Sequence, residues 1–165
     1  MSKKNLKSLR KKIDKIDQEL LVLIQKRAEH AVDIGNIKSK INPKDPYYKP
    51  DRETKILRNI LNLNKKGLLP DTKIRVIYKE LISGCLSLEE TLKVAYLGPE
   101  GTHSEAAVQN QFGSQVIRVP SSTIEDVFYQ VINDEVSIGV VPVENSSEGV
   151  INTCLLYTSD AADDV

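Results

Sequence analysis

Between Leu6 and Ile41 the apolar residues recur at alternating steps of three and four: Leu6, Leu9, Ile13, Ile16, Leu20 and Leu23, then Ile34, Ile37 and Ile41. That spacing is a heptad seam and predicts one helix over residues 3–41, uninterrupted by Pro and holding a single Gly, Gly35. At 1.5 Å per residue such a helix is roughly 55–60 Å long. A domain of this size is narrower than that, so the pattern predicts packing against a partner chain. The seam breaks where Arg27 takes an apolar position and His30 takes the next one. A guanidinium facing a helical core is costly unless an anion meets it, although a lone polar residue in a seam also serves to set register or oligomeric state. Lys38 lies three turns beyond Arg27, about 20° off the same face and roughly 16 Å along the axis, so the two can close on a small dianion. Arg10 is about 25 Å from Arg27 and roughly 100° around the helix, out of reach of one metabolite on one straight helix. It is either ordinary surface or part of a second subunit's site.

Beyond this helix, Pro43, Pro46 and Pro50 in SKINPKDPYYKP predict a loop over residues 39–50. Asp51 is the expected N-cap of a second helix over residues 52–66, with Ile56, Leu57, Ile60, Leu61 and Leu63 on one face and Gly67 at its end. Ile74, Ile77, Leu81, Cys85, Leu88 and Leu92 predict a third helix from about Asp71 to Leu92, on which Cys85 and Glu89 are neighbours one turn apart. At Lys93 the grammar changes to strands alternating with helices. Strands are expected over residues 94–97, 116–119 and 138–143. Helices are expected from Thr102 or Ser104 to near Phe112, and from Ser121-Ser122-Thr123 through Val131. This alternation implies a largely parallel α/β sheet. The loops GPEGTHS, PSST and PVENSSEG would stand at the strands' carboxyl ends. Exposed N–H groups there can receive anions, although turns of this composition also occur with no ligand.

The net charge of zero conceals a reversal: residues 1–92 carry 21 Lys and Arg against 12 Asp and Glu, and residues 93–165 carry 2 against 11. The halves, net +9 and −9, read as two domains, 1–92 and 93–165, with different partners. A basic half suits an anionic substrate or nucleic acid, but its cations lack the aromatic interleaving of a nucleic-acid surface. Cys85 and Cys154 are far apart and carry no metal-ligand spacing, as in a reduced cytoplasmic protein; no stretch has the length and apolarity of a membrane span.

Residues 1–92 resemble the all-helical chorismate mutase domain. The resemblance lies in LRKKIDKID at residues 9–17, the Arg27…Lys38 pair, Asp51-Arg52-Glu53 after a Pro-rich loop, and CLSLE at residues 85–89. Residues 94–153 resemble the start of prephenate dehydratase through VAYLGPEGTHS and GVVPVENSSEG. Together they look like the bifunctional chorismate mutase–prephenate dehydratase family of phenylalanine synthesis. The resemblance implies an all-α, three-helix mutase domain interlocked as a homodimer, followed by a partial α/β domain, the first lobe of a periplasmic-binding-protein-like fold. The implied activity is rearrangement of chorismate to prephenate, an intramolecular reaction with no metal, cofactor or nucleophile.

By that resemblance Arg27, and Arg10 of the partner, hold the two substrate carboxylates, and Lys38 bonds a carboxylate and the ether oxygen. Glu53 takes the hydroxyl, Arg52 supports the cluster, Cys85 contacts substrate and Glu89 faces the ether oxygen. In the second half Thr102, Ser104, Ser121, Ser122, Asn145 and Ser146 are candidate substrate-binding residues. Some family members have Gln at the position of Glu89 and Ser at that of Cys85; a Glu donates a hydrogen bond only when protonated, so activity is expected to depend on pH. The family continues into a second lobe and a regulatory region, and residues 154–165, CLLYTSDAADDV, do not match it, so the dehydratase half is expected to be truncated and inactive by itself. Two other functions fit parts of the pattern: a non-catalytic helical dimerisation module, and a small-molecule binding module in the acidic half.

Overall fold

The structure, a computed structural model, describes residues 3–42, 47–145 and 149–150. Its first element, α1, runs Lys3–Ile41 over 39 residues, as the heptad pattern predicts. Lys38 and Lys40 in its last turn complement the negative end of the helix dipole. Two shorter helices follow, α2 at Pro50–Leu63 and α3 at Asp71–Leu86. Helix α2 starts two residues earlier than Asp51 predicts: Lys49 is the N-cap, without a side-chain bond, and Pro50 takes the first helical position. There its fixed φ is already helical and its missing N–H would have been unpaired. Asp51 and Glu53 sit in the first turn, where carboxylates are favoured. The helix ends at Asn64, not at Gly67.

Helix α3 stops at Leu86, short of Leu92. The Ser87 hydroxyl donates to the Gly84 carbonyl at 2.8 Å in a closing turn, Leu88 is exposed, and Leu92 is drawn into the core of the sheet instead. The carbonyl of Leu92 accepts from Ile117 N–H at 2.9 Å, a bond that ties it to the sheet.

The three helices do not enclose a core of their own. Among the described residues before Leu92, Leu57 and Cys85 are the fully buried apolar ones. Along α1, residues 5–26 are exposed throughout, and its seam residues Leu6, Ile13, Leu20 and Leu23 retain 53%, 57%, 49% and 61% exposure. Only the end of α1 beyond Lys26 reaches α3, with Gly35 buried at the contact.

From Lys93 the chain forms a small parallel sheet. Strand β1 (Lys93–Leu97) lies between β2 (Ile117–Ser121) and β3 (Ile138–Val140), with Ala95 paired to Val119 on one side and Gly139 on the other. Helix α4 (His103–Phe112) connects β1 to β2 and α5 (Ile124–Ile132) connects β2 to β3. The period-two alternation of β1 sends Val94 and Tyr96 to one face, where they bury with Leu92 and Val108; Ala95 goes to the other with Val127 and Val136. At Gly139 an added Cβ would stand 2.7 Å from Val127 Cγ1, so α5 can lie this close to β3 only over a glycine. Thr102 caps α4, and Thr123 caps α5 in a reciprocal box with Asp126. Two-residue strands β4 (Glu144–Asn145) and β5 (Gly149–Val150) pair antiparallel beyond the sheet.

Candidate active site

A cleft of about 600 Å³ opens between the carboxyl-terminal part of α1, the start of α2 and one face of α3. Six of the seven candidate residues in the helical half line it: Arg27 and Lys38 from α1, Arg52 and Glu53 from α2, and Cys85 and Glu89 from the end of α3 and its closing turn. Apolar walls come from Ile34, Ile56, Ile60 and Ile82. With Lys49 the lining carries four cations, Arg27, Lys38, Lys49 and Arg52, against two carboxyl groups, Glu53 and Glu89, a net of two positive charges with His30 neutral. Such a site favours a small dianion held against an apolar wall.

Each polar group is set by its element. Arg27 replaces a seam residue, and its Nη1 donates to the Leu81 carbonyl of α3 at 3.3 Å, which turns the guanidinium into the cleft. Lys38 Nζ donates to the Tyr47 carbonyl at 3.4 Å, lies 5.9 Å from the centre of the Tyr47 ring and stands 3.7 Å from Glu89 Oε2. That oxygen is buried and makes no hydrogen bond within the described residues. It lies over Gly35: a Cβ there would meet Glu89 Cγ at 3.0 Å and Oε2 at 3.3 Å. The one glycine of α1 thus leaves the space through which Glu89 leans towards Lys38. A lysine and a carboxyl group so placed can act together on a single oxygen, the one by charge and the other, when protonated, by donating a hydrogen bond.

Glu53 is buried, with 9% of its surface exposed, and burial pushes its carboxyl above the usual carboxylate range. The nearby Lys79 charge and a hydrogen bond from the Tyr48 hydroxyl oppose that shift. A buried acceptor of this kind is suited to a neutral hydroxyl on the ligand. Cys85 is buried and unbonded to another cysteine; Cys154 lies outside the described residues. Among the described residues no cluster of His, Cys, Asp or Glu could hold a metal.

Arg10 is not part of this cleft. It is exposed on α1, seventeen residues before Arg27 and about 25 Å away along the helix axis. Tyr47, Tyr48 and Lys49, by contrast, line the cleft although the sequence showed them only as part of a Pro-rich loop. Tyr48 in particular had no local signal, because Gln111 and Phe112, which hold it, belong to the other half of the chain.

In the α/β half, Thr102 and Ser121 come to the carboxyl edge of the sheet, where Gly98 N–H donates to the Ser121 carbonyl at 2.9 Å. Their side chains are occupied structurally. Thr102 Oγ1 donates to the Leu97 carbonyl at 3.3 Å and accepts from Glu105 N–H, and the buried Ser121 hydroxyl accepts from Gln130 Nε2 at 3.1 Å. Ser104 is half-buried and Ser122 exposed near the same edge. For Asn145 only the backbone is described, in β4, and Ser146 lies outside the described residues. No helix among the described residues is long and apolar enough to cross a membrane.

Residues 9–90 match the family Chorismate mutase type II, and residues 94–160 match Prephenate dehydratase. Similar proteins share this order. The chain is 49% identical over 158 residues to the bifunctional chorismate mutase/prephenate dehydratase of Aquifex aeolicus, covering 94% of this chain and 42% of that protein. It is 44% identical over 153 residues to the protein of the same name from Pseudomonas aeruginosa, covering 91% and 42%. To that of Escherichia coli it is 30% identical over 167 residues, covering 92% and 43%. The chain thus spans about two fifths of the length of the curated relatives it matches.

Proposed function

The chain carries a chorismate mutase type II domain over residues 9–90 and part of a prephenate dehydratase domain over residues 94–160, and from that premise we propose that its cleft rearranges chorismate to prephenate. The reaction is a concerted shift within one molecule: the ether carbon–oxygen bond breaks as a carbon–carbon bond forms, and no proton or electron leaves the substrate. What the protein must supply is therefore a reactive conformer and stabilisation of the charge that gathers on the ether oxygen. The observation that carries this reading is the Lys38–Glu89 pair, aimed together from a cation-rich apolar cleft.

In this reading Arg27 holds one substrate carboxylate and Arg10 of a second copy holds the other. Lys38 bridges a carboxylate and the ether oxygen, Glu53 accepts from the ring hydroxyl, and Arg52 supports the cluster. Cys85 packs against substrate, and Glu89 in its protonated form donates to the ether oxygen. A homodimer is required for Arg10 to act, and the exposed seam of α1 supplies the surface for it. Six cleft residues gathered from three helices favour this reading over a dimerisation module without catalysis. The charge gathered inside a cleft, not spread over a surface, favours a small anion over nucleic acid. A buried free thiol in the cleft suits the reducing cytoplasm.

The test is disappearance of chorismate absorbance with formation of prephenate by the 165-residue chain. Lys38→Ala should lower kcat/KM by about 10²–10³ fold, the usual loss of one group aimed at transition-state charge, with an unchanged melting temperature. A chain that folds and leaves chorismate at the uncatalysed rate refutes the proposal.

A further inference from the structure

The geometry points to Tyr48 as a positioning residue of the mutase cleft, held in place by the α/β half of the chain; this rests on the reading of the cleft proposed above. Tyr48 stands in the connection between α1 and α2 and lines the cleft. It stands beside Glu53 in the cleft lining, and a hydrogen bond from its hydroxyl favours the ionised form of that carboxyl. The same oxygen accepts from Gln111 Nε2 on α4 at 3.2 Å, across 63 residues of sequence. A tyrosine hydroxyl has one proton to give, and with that proton committed to Glu53 its lone pairs are free to accept from Gln111.

The ring is held from the same side. It packs edge-on against Phe112, with centroids 5.2 Å apart and planes at 65°, and joins the sheet core of Leu92, Val94, Tyr96 and Val108. Tyr48 thus carries its apolar body in the α/β core and its polar tip at the mutase cleft.

The end of α4 that provides these contacts is itself fixed to α3. Lys79 Nζ accepts no freedom there: it donates to the carbonyls of Asn110 at 2.6 Å and Gln111 at 3.3 Å. Glu80 Oε2 receives the Ser114 hydroxyl at 2.6 Å and its N–H at 3.3 Å. Gly113 has φ of +79°, and a Cβ on it would lie 2.7 Å from Ser83 Cβ, so only glycine lets the two segments meet this closely. Helix α3 therefore bears the cleft on one side and the seat of the α/β half on the other, and Tyr48 joins the two through Glu53.

The consequence is that Glu53 faces a hydroxyl whose own position is fixed by Gln111 and Phe112 of the dehydratase-type half. Lys79 from α3 is the cation that faces Glu53, and Tyr48 faces it from the loop. Arg27 and Lys38 from α1, Arg52 from its own helix and Glu89 line the same cleft, as does His30. None of these replaces a fixed hydroxyl donor at Glu53.

The experiment compares Tyr48→Phe, Gln111→Leu and the double variant of the full chain, with kcat, KM for chorismate, the pH profile and the melting temperature of each. Tyr48→Phe keeps the ring and should raise KM about three- to tenfold, with less change in kcat. It should also move the acid limb of kcat/KM upward by roughly half to one pH unit, because the lost bond favoured the ionised carboxylate. Gln111→Leu should move both readouts the same way by less, and should add nothing in the Tyr48→Phe background. A parental KM and acid limb in Tyr48→Phe overturns the proposal, since a merely structural tyrosine would change the melting temperature alone. Parental values in Gln111→Leu, or full additivity in the double variant, overturn the part played by the α/β half. A parent chain without mutase activity defeats the reading of the cleft and this inference with it, whereas an active parent isolates the inference.

Discussion

Arg10 and Arg27 cannot serve one substrate from a single α1, so their variants should complement each other in mixed dimers. Seventeen residues of helix separate them by about 25 Å, several times the reach of one small dicarboxylate. If each cleft takes Arg27 from its own chain and Arg10 from the partner, Arg10→Ala and Arg27→Ala should each leave every site short of one clamp. In an equal mixture with free exchange, half of the dimers pair one variant with the other. Each of those has one site that lacks both arginines and one that has both, so the mixture should recover about a quarter of the parental activity. The assay is chorismate consumption after unfolding and refolding the two chains together, with differently tagged subunits to verify exchange. Two sites each contained in one chain would give only the sum of the two parents. A verified heterodimer no more active than its parents, or an Arg10→Ala chain with parental kcat/KM, refutes the shared site.

If the proposed donor role of Glu89 holds, Glu89→Gln keeps a donor at every pH, so the variant should outpace the parent at high pH and show a flatter kcat/KM profile; equal slopes in the two profiles would contradict the donor role. Gly35→Ala should lower kcat/KM severalfold, because the added methyl displaces Glu89 by a few tenths of an ångström, while the melting temperature holds or rises with the better helix propensity of Ala, about 1 kcal/mol. Burial raises the folded-state pKa of Glu53, so the stability this carboxyl contributes is present below the unfolded carboxylate range, near 4.3, and is lost as pH rises through the folded value. Glu53→Gln should therefore melt higher than the parent at neutral pH, with the two converging in acid, while its KM for chorismate rises.

The sequence pattern made the long helix and the parallel sheet legible for physical reasons that are local. A heptad seam and the short apolar run Val94-Ala95-Tyr96-Leu97 each follow from one local backbone geometry, and both elements appear in the structure. Boundaries were less legible where two elements competed for one residue. Leu92 continues the apolar period of α3, yet burial in the sheet core draws it out of the helix. Asp51 is a good cap by type, but Pro50 fixes the backbone before it. Arg27 and Lys38 could be placed on one face from helix phase, whereas Arg52, Glu53, Cys85 and Glu89 were named through the resemblance of their motifs to the mutase family. Tyr48 could not be named either way, because its meaning depends on Gln111 and Phe112, which only the folded arrangement brings to it.

The position of Arg27 explains why the seam and the site occupy one helix. Before it, α1 presents apolar residues on a face that none of the described residues covers; after it, the helix meets α3 and the cleft begins. A guanidinium in the middle of an unbroken seam would be buried against the partner without an anion, at a cost of several kcal/mol. At the break in the seam it can stay partly in the apolar contact and point its head into the cleft, where the Leu81 carbonyl receives it. If two copies pair along the exposed seam of α1, as proposed above, the exposed Leu and Ile side chains leave the water and Arg10 of the second copy becomes available as a fifth cation for a cleft that already favours a dianion. On that proposal dimerisation and catalysis are linked through one helix, and a chain that loses the first loses the second clamp along with it.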